Sequence, residues 1–172
     1  MVIKKSRFIR FFISLFLVQS ITISCIFSTS GTSLTNSNFC DWFNKSQQIR
    51  ADRIPAILKV QEVYEKYGTS SLDYSNQAMV RDMSFAMKDY LTTNEKFIEQ
   101  WNLLGQLSPG DDYWENELQA VKLFNEGFSK AIEGMKSQNK DLINEGIKLY
   151  ESGNIFSKQA EIDMVKFHKE CD

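Results

Sequence analysis

Little in this sequence can do chemistry unaided. Its 172 residues include one histidine, His168, three cysteines and two prolines. A single histidine rules out a His-based metal cluster, and the Glu-x-x-His pairs of di-iron bundles cannot be assembled from it. The Cys-x-x-Cys-His string of covalent haem is missing, and the first helical stretch holds no methionine that could face His168 across a haem. Neither Gly-x-Ser-x-Gly nor a phosphate-cradling glycine loop occurs, and a lone His without an orienting partner is a poor general base. The expectation is a non-enzymatic protein with no catalytic residues, no metal site and no cofactor. The near-absence of proline, beside thirteen Phe, excludes both a disordered body and a Pro-rich stalk.

Positive charge is also short where a nucleic-acid binder would need it. Four of the 20 basic residues, Lys4, Lys5, Arg7 and Arg10, crowd the start, ahead of a mostly apolar run from Phe11 to Ile23. That order, basic then apolar, is the layout of an export signal. Removing those four leaves 16 bases against 22 acids, a formal charge of −6. A mildly acidic body without a basic stripe has no means of neutralising phosphates, so nucleic acid is excluded as a partner.

The apolar run ends in Ile21-Thr22-Ile23-Ser24-Cys25, which resembles the lipobox of bacterial lipoproteins, where the cysteine is acylated and becomes the new N-terminus. Ile23 and Ser24 suit the two positions before the cysteine, whereas Thr22 stands where that family usually has Leu, Val or Ile. Two other readings stay open: a signal cleaved later, near Ser28 to Gly31, and an uncleaved anchor helix. Lipidation at Cys25 also accounts for an odd cysteine count in an exported protein. Cys40 and Cys171 then remain as a disulfide pair.

The expected domain organisation is therefore a signal over 1–25, a Ser/Thr/Asn-rich tether over 26–38 and one folded domain over 39–172. Thirteen tether residues reach at most about 45 Å, which keeps the domain near its membrane. In the folded part apolar residues recur at helical spacing. Phe39 to Tyr67 is a first helix, with Pro55 predicting a kink or break near Arg53 and Ile54. Arg53 falls on or beside the apolar stripe and reads as a snorkelling or ion-paired structural arginine. A turn at Gly68 to Ser71 follows, with Ser71 or Asp73 capping a second helix from about Tyr74 to Leu104. Met79, Met83, Ala86, Tyr90, Phe97, Trp101 and Leu104 form its core stripe, broken by Asn94.

Ser108-Pro109-Gly110 marks the clearest turn, and a third helix begins at Asp111 and Asp112. Asp111, Asp112, Glu115 and Glu117 lack the alternation and glycine of an EF-hand loop, so they read as acids favoured by the helix dipole. Asn139 is placed to cap a fourth helix, whose stripe is Leu142, Leu149, Phe156, Ala160, Met164, Phe167 and Cys171. Gly146 and Gly153, one heptad apart in it, imply a closely packed neighbour. The Asn-Glu-Gly strings at 125–127 and 144–146 lack wider similarity and read as chance.

Short connections between four helices predict an all-α, antiparallel up-down-up-down bundle. That topology puts Cys40 and Cys171 at one end, and gathers Trp42, Trp101, Tyr113, Trp114 and His168 beside them. These aromatics are either a pocket for an apolar ligand or lipid, or a plug that closes the bundle. Asn94, Asn125, Asn154 and Ser157 form a polar layer that sets helix register, with a hydrated cleft as the other reading. Overall the chain resembles small bacterial lipoproteins or secreted proteins whose mature part is one helical bundle. The resemblance rests on Ile23-Ser24-Cys25, the tether, the Leu107-Ser108-Pro109 turn and Cys40 with Cys171, and it implies no active site. Two functions follow as expectations. One is a membrane-tethered, extracytoplasmic interaction or structural protein of the cell envelope, lipid-anchored or secreted, with a protein partner; the other is a bundle that binds a small apolar ligand or lipid.

Overall fold

The computed structural model describes residues 37–67 and 75–171. The expected export signal, Cys25 with its lipobox-like string and most of the expected tether lie outside the described residues, as do the expected turn at 68–71 and the caps expected from Ser71 and Asp73. The fold is an all-α helical bundle. Among the described residues five helical segments make its four arms: α1 (Ser37–Ala51) and α2 (Ile54–Tyr67) share the first, followed by α3 (Gln77–Leu104), α4 (Asp111–Ser137) and α5 (Lys140–Cys171). The first arm breaks at Asp52 and Arg53, just ahead of Pro55, where the ring and missing N–H of proline stop the helical ladder. α1 starts at Ser37, two residues ahead of the expected Phe39, so the tether ends earlier than its sequence suggests.

Capping explains the other boundaries. α3 starts three residues later than expected, because Asn76 accepts a bond from the Met79 N–H at 3.1 Å and serves as its N-cap. It ends at Gly105, where φ is 69° and the N–H reaches back to the Trp101 carbonyl. Gly110 precedes α4 because the Trp42 ring lies where a side chain would stand, within 2.5 Å of a Cβ placed there. Asn139 caps α5 as the sequence implies, its Oδ1 accepting from the N–H of Asp141 at 3.0 Å and of Leu142 at 3.3 Å.

α4 and α5 form the tightest pair, and glycines make it so. A Cβ on Gly146 would lie 2.5 Å from the Gly127 carbonyl oxygen, and one on Gly127 would lie 2.7 Å from that of Gly146. The glycines of the two Asn-Glu-Gly strings therefore meet across the interface, which their chance resemblance in sequence does not foretell. Gly153 is similarly closed by the Phe124 ring. This contact sets the register of α5, and it corrects the expected stripe. Leu142, Leu149 and Phe156 are only half-buried, whereas Ile143 and Tyr150 take the core positions on the glycine face.

The core has two parts. One, toward the α1 start, is mainly aromatic: Phe39, Trp42, Phe43, Phe97, Trp101, Tyr113 and Phe167 pack with Val121, Ala160 and Met164. The other, toward the α2 end, mixes Met83, Met87 and Met135 with Ile57, Val60, Tyr90, Phe124, Phe128, Ile143 and Tyr150. A band of buried polar groups lies between them. Among the described residues no helix is long and apolar enough to cross a membrane.

Candidate functional site at the disulfide end

Cys40 sits in the first turn of α1 and Cys171 ends α5, and the antiparallel topology brings their Cα atoms to 5.4 Å. They are joined in a disulfide. Closing a loop of 131 residues removes much of the conformational freedom of the unfolded chain, worth up to about 4–5 kcal/mol in the chain-entropy account.

All five aromatic candidates gather around it. Tyr113 lies 6.1 Å from Trp42 and 5.7 Å from Trp101, edge to face in both cases. Trp101 and Trp114 bond reciprocally, each indole N–H donating to the backbone carbonyl of the other at 2.9 Å. Trp42 donates to the Gly105 carbonyl at 2.9 Å, which ties α1 to the end of α3. His168 stacks edge-on against Phe43 at 5.0 Å. Trp101, Tyr113 and Phe43 are wholly buried, and all three indole N–H groups are taken up by backbone. The arrangement is a filled aromatic layer. Beside it, on the outer surface between α1 and α3, an open groove of about 660 Å³ runs past Trp42, Asp41, Lys45, Ile49 and the exposed Leu103.

Beneath that layer lies a set of charged groups, in which Arg53 is the ion-paired arginine its place beside the apolar stripe allows and Glu117 departs from expectation. Glu117, expected on a solvated helix start, is 2% exposed. Its carboxylate meets Arg50 Nε at 2.8 Å and Arg53 Nη1 at 3.8 Å. The Arg50 contact lies off the line of a good hydrogen bond, so the attraction is chiefly ionic. Arg53 is fully enclosed and does not snorkel. Its Nε donates to Asn94 Oδ1 at 2.9 Å, its Nη2 to the Tyr90 hydroxyl at 3.0 Å, and the guanidinium lies 4.7 Å over the Phe97 ring. Asn94 passes the chain on, donating to Asn125 Oδ1 at 2.7 Å.

Arg50 also reaches Gln47 and the Met164 sulfur. Burial opposes its charge, yet Glu117, Tyr113 and Glu161 together outweigh that and raise its pKa further. Glu161, nearby on α5, is pushed up by burial, with Arg50 pulling it back. Tyr113 bridges the layers: its hydroxyl accepts from Gln47 Nε2 at 2.9 Å and shares a hydrogen with Ser46 at 3.3 Å. Burial pushes that phenol up to about 12, against the pull of Arg50. Of the polar layer expected from sequence, Asn94 and Asn125 join as a pair, while Arg50 and Glu117 are additions. A signal for Glu117 exists, since it stands four residues from both Tyr113 and Val121 on the buried side of α4.

The arrangement holds helices in register and offers no reacting pair. Its enclosed Glu117 carboxylate is ion-paired with two guanidinium groups, and among the described residues no three metal-ligating side chains converge. No family model, curated protein or solved structure matches the chain.

Proposed function

We propose that this chain is a membrane-tethered, extracytoplasmic protein of the cell envelope that acts without catalysis, as an interaction or structural module holding a protein partner on α5. The observation that carries the reading is on that helix. Ile155 and Ile162, 70% and 63% exposed, stand two turns apart in one line, with Val165 beside them at 49%. The row spans about 15 Å along the helix axis. Solitary exposed apolar residues need no explanation, whereas an aligned row on the back of a filled bundle fits a partner helix or sheet edge. Lys158 and Lys166 stand on the same face and place positive charge within the row.

The tether is the second half of the proposal. It rests on the basic and apolar leading segment, on the Ile23-Ser24-Cys25 string and on a disulfide, a bond that persists in oxidising compartments. With Cys25 acylated, the short tether would hold the disulfide end toward the membrane and leave the length of α5 free along its side.

Site-specific photo-crosslinking in the native membrane tests both halves. A photoreactive residue at position 155 or 162 should trap one discrete partner, and the same group at the solvated Lys122 on α4 should not. The intact mass of the recovered protein reports acylation and cleavage at Cys25. Equal crosslinking from all three positions, or full recovery in the soluble fraction, refutes the reading.

A further inference from the structure

The best-built unassigned site lies at the opposite end from the disulfide, between α3 and α4. It is a groove of about 500 Å³, within the range of small-ligand pockets. Val80, Phe85 and Met135 give it apolar walls, and Phe85 is 74% exposed there, an unusual position for a phenylalanine that covers nothing. Three cations, Arg81, Lys88 and Lys136, line it with no carboxylate among them. Arg81 is engaged by Asp82 at 3.0 Å. Lys88 and Lys136 make no ion pair among the described residues, although Lys59, Lys66 and Lys130 on neighbouring surfaces each have one.

The fourth feature is Ser84. It is 6% exposed and forms part of the groove wall, and its Oγ has no hydrogen-bond partner among the described residues. A serine in a helix ordinarily satisfies its hydroxyl on the carbonyl four residues back, as Ser137 and Ser152 do here at 2.7 and 3.0 Å. Leaving a buried hydroxyl unpaired costs free energy, so such a group points to an external partner.

Apolar walls, two unpaired ammonium groups and an unpaired hydroxyl together specify a ligand with an apolar chain and one anionic head. We infer that this groove binds a single-chain fatty carboxylate, its chain along Phe85, Val80 and Met135 and its head between Lys88 and Lys136. Ser84 donates to the carboxylate. The site is independent of the α5 row, on another face and with another kind of occupant, so either can fail without the other.

Photolabelling with a dodecanoate carrying a terminal diazirine tests the assignment, using the full chain in neutral phosphatidylcholine nanodiscs with empty discs as control. The label should map to the α3 stretch 77–88 and to the end of α4. Unlabelled dodecanoate should compete, and dodecanol, which lacks the charge, should compete at least about ten-fold less well. The double variant Lys88→Gln/Lys136→Gln should lose about ten-fold in labelling, and Phe85→Ser several-fold. All three side chains are exposed, so circular dichroism should show the fold intact in both variants. The inference is overturned by absent labelling, by label on the Trp42 and Leu103 groove or the α5 row, by equal competition from dodecanol, or by an unaltered double variant.

Discussion

The two ends of this bundle solve the same packing problem with different materials. At the disulfide end, large aromatic rings fill the space and the last gap is closed covalently between Cys40 and Cys171. At the far end there is no crosslink, and the α4–α5 pair is drawn together by glycines so close that the backbones of Gly127 and Gly146 touch. Bulky residues keep α1, α3 and α5 apart and then need a clamp; small ones let α4 and α5 meet directly. The first solution is strong only while the clamp holds. The second depends on nothing but local fit, and it leaves room beside it for the α3–α4 groove.

Removing the clamp should expose that difference most sharply. Cys40→Ser/Cys171→Ser should lower stability in urea by up to about 4–5 kcal/mol, the largest effect predicted for any change considered. Its distribution matters as much as its size. Hydrogen exchange should show amides of α1 and the end of α5 losing protection first, while the middle of α4 and the start of α5 keep theirs. Uniform loss along all four arms would mean that the two ends are a single cooperative unit and do not differ in how they are fastened.

Between the ends, Glu117 joins the first arm to α4 through Arg50 and Arg53. Glu117→Ala leaves the buried Arg53 and the partly buried Arg50 facing one another's charge without a counter-ion. A cost of about 3–5 kcal/mol is expected, because breaking a buried pair from one side strands the other charge. The informative control replaces all three charged partners. Arg50→Met and Arg53→Met combined with Glu117→Leu should recover part of the loss, since apolar groups of similar volume need no pairing there, whereas a single variant costing under about 1 kcal/mol would show that water already reaches the pair.

What the sequence made legible divides along the same lines. Periodicity, Pro55 and the Pro109-Gly110 turn located the arms and the break, and the topology they imply brought Cys40 to Cys171 and the five aromatics into one layer. Gly146 and Gly153 were legible as close contacts because glycine in a helix needs a reason. Their partner was not: Gly127 lies on another helix, and nothing local shows that residues 127 and 146 face each other. The same limit hid Glu117. Its neighbours Asp111, Asp112 and Glu115 are good helix-start acids, and only its spacing from Tyr113 and Val121 distinguishes it from them. In α5, the apolar periodicity of Leu142, Leu149 and Phe156 is real, but a backbone contact at glycine outranks it and rotates Tyr150 into the core. Ser84 carries no sequence signal at all, because a hydroxyl on the edge of an apolar stripe is common and its lack of a partner is a property of three dimensions.

The smallest predicted effect compares one buried tyrosine from each part of the core. Tyr113, in the aromatic part, has its phenol pushed up to about 12, first by burial. Tyr150, in the other part, is also raised by burial, well above its ordinary value. An unfolded tyrosine ionises near pH 10, so at higher pH the unfolded state gives up a proton that the folded state retains. The stability that Tyr113 confers is thus complete below pH 10 and is lost as pH rises from 10 toward 12, by about 2–3 kcal/mol at most. Urea unfolding across that window should show the decline, and Tyr113→Phe and Tyr150→Phe should each flatten a part of it. If the disulfide end is the more fragile one, tyrosinate absorbance in alkali should appear together with loss of protection in α1, before the glycine-packed stretch of α4 and α5 opens. Should that stretch open first, the crosslink is the stronger fastening, and close glycine packing contributes less than the geometry of its contacts implies.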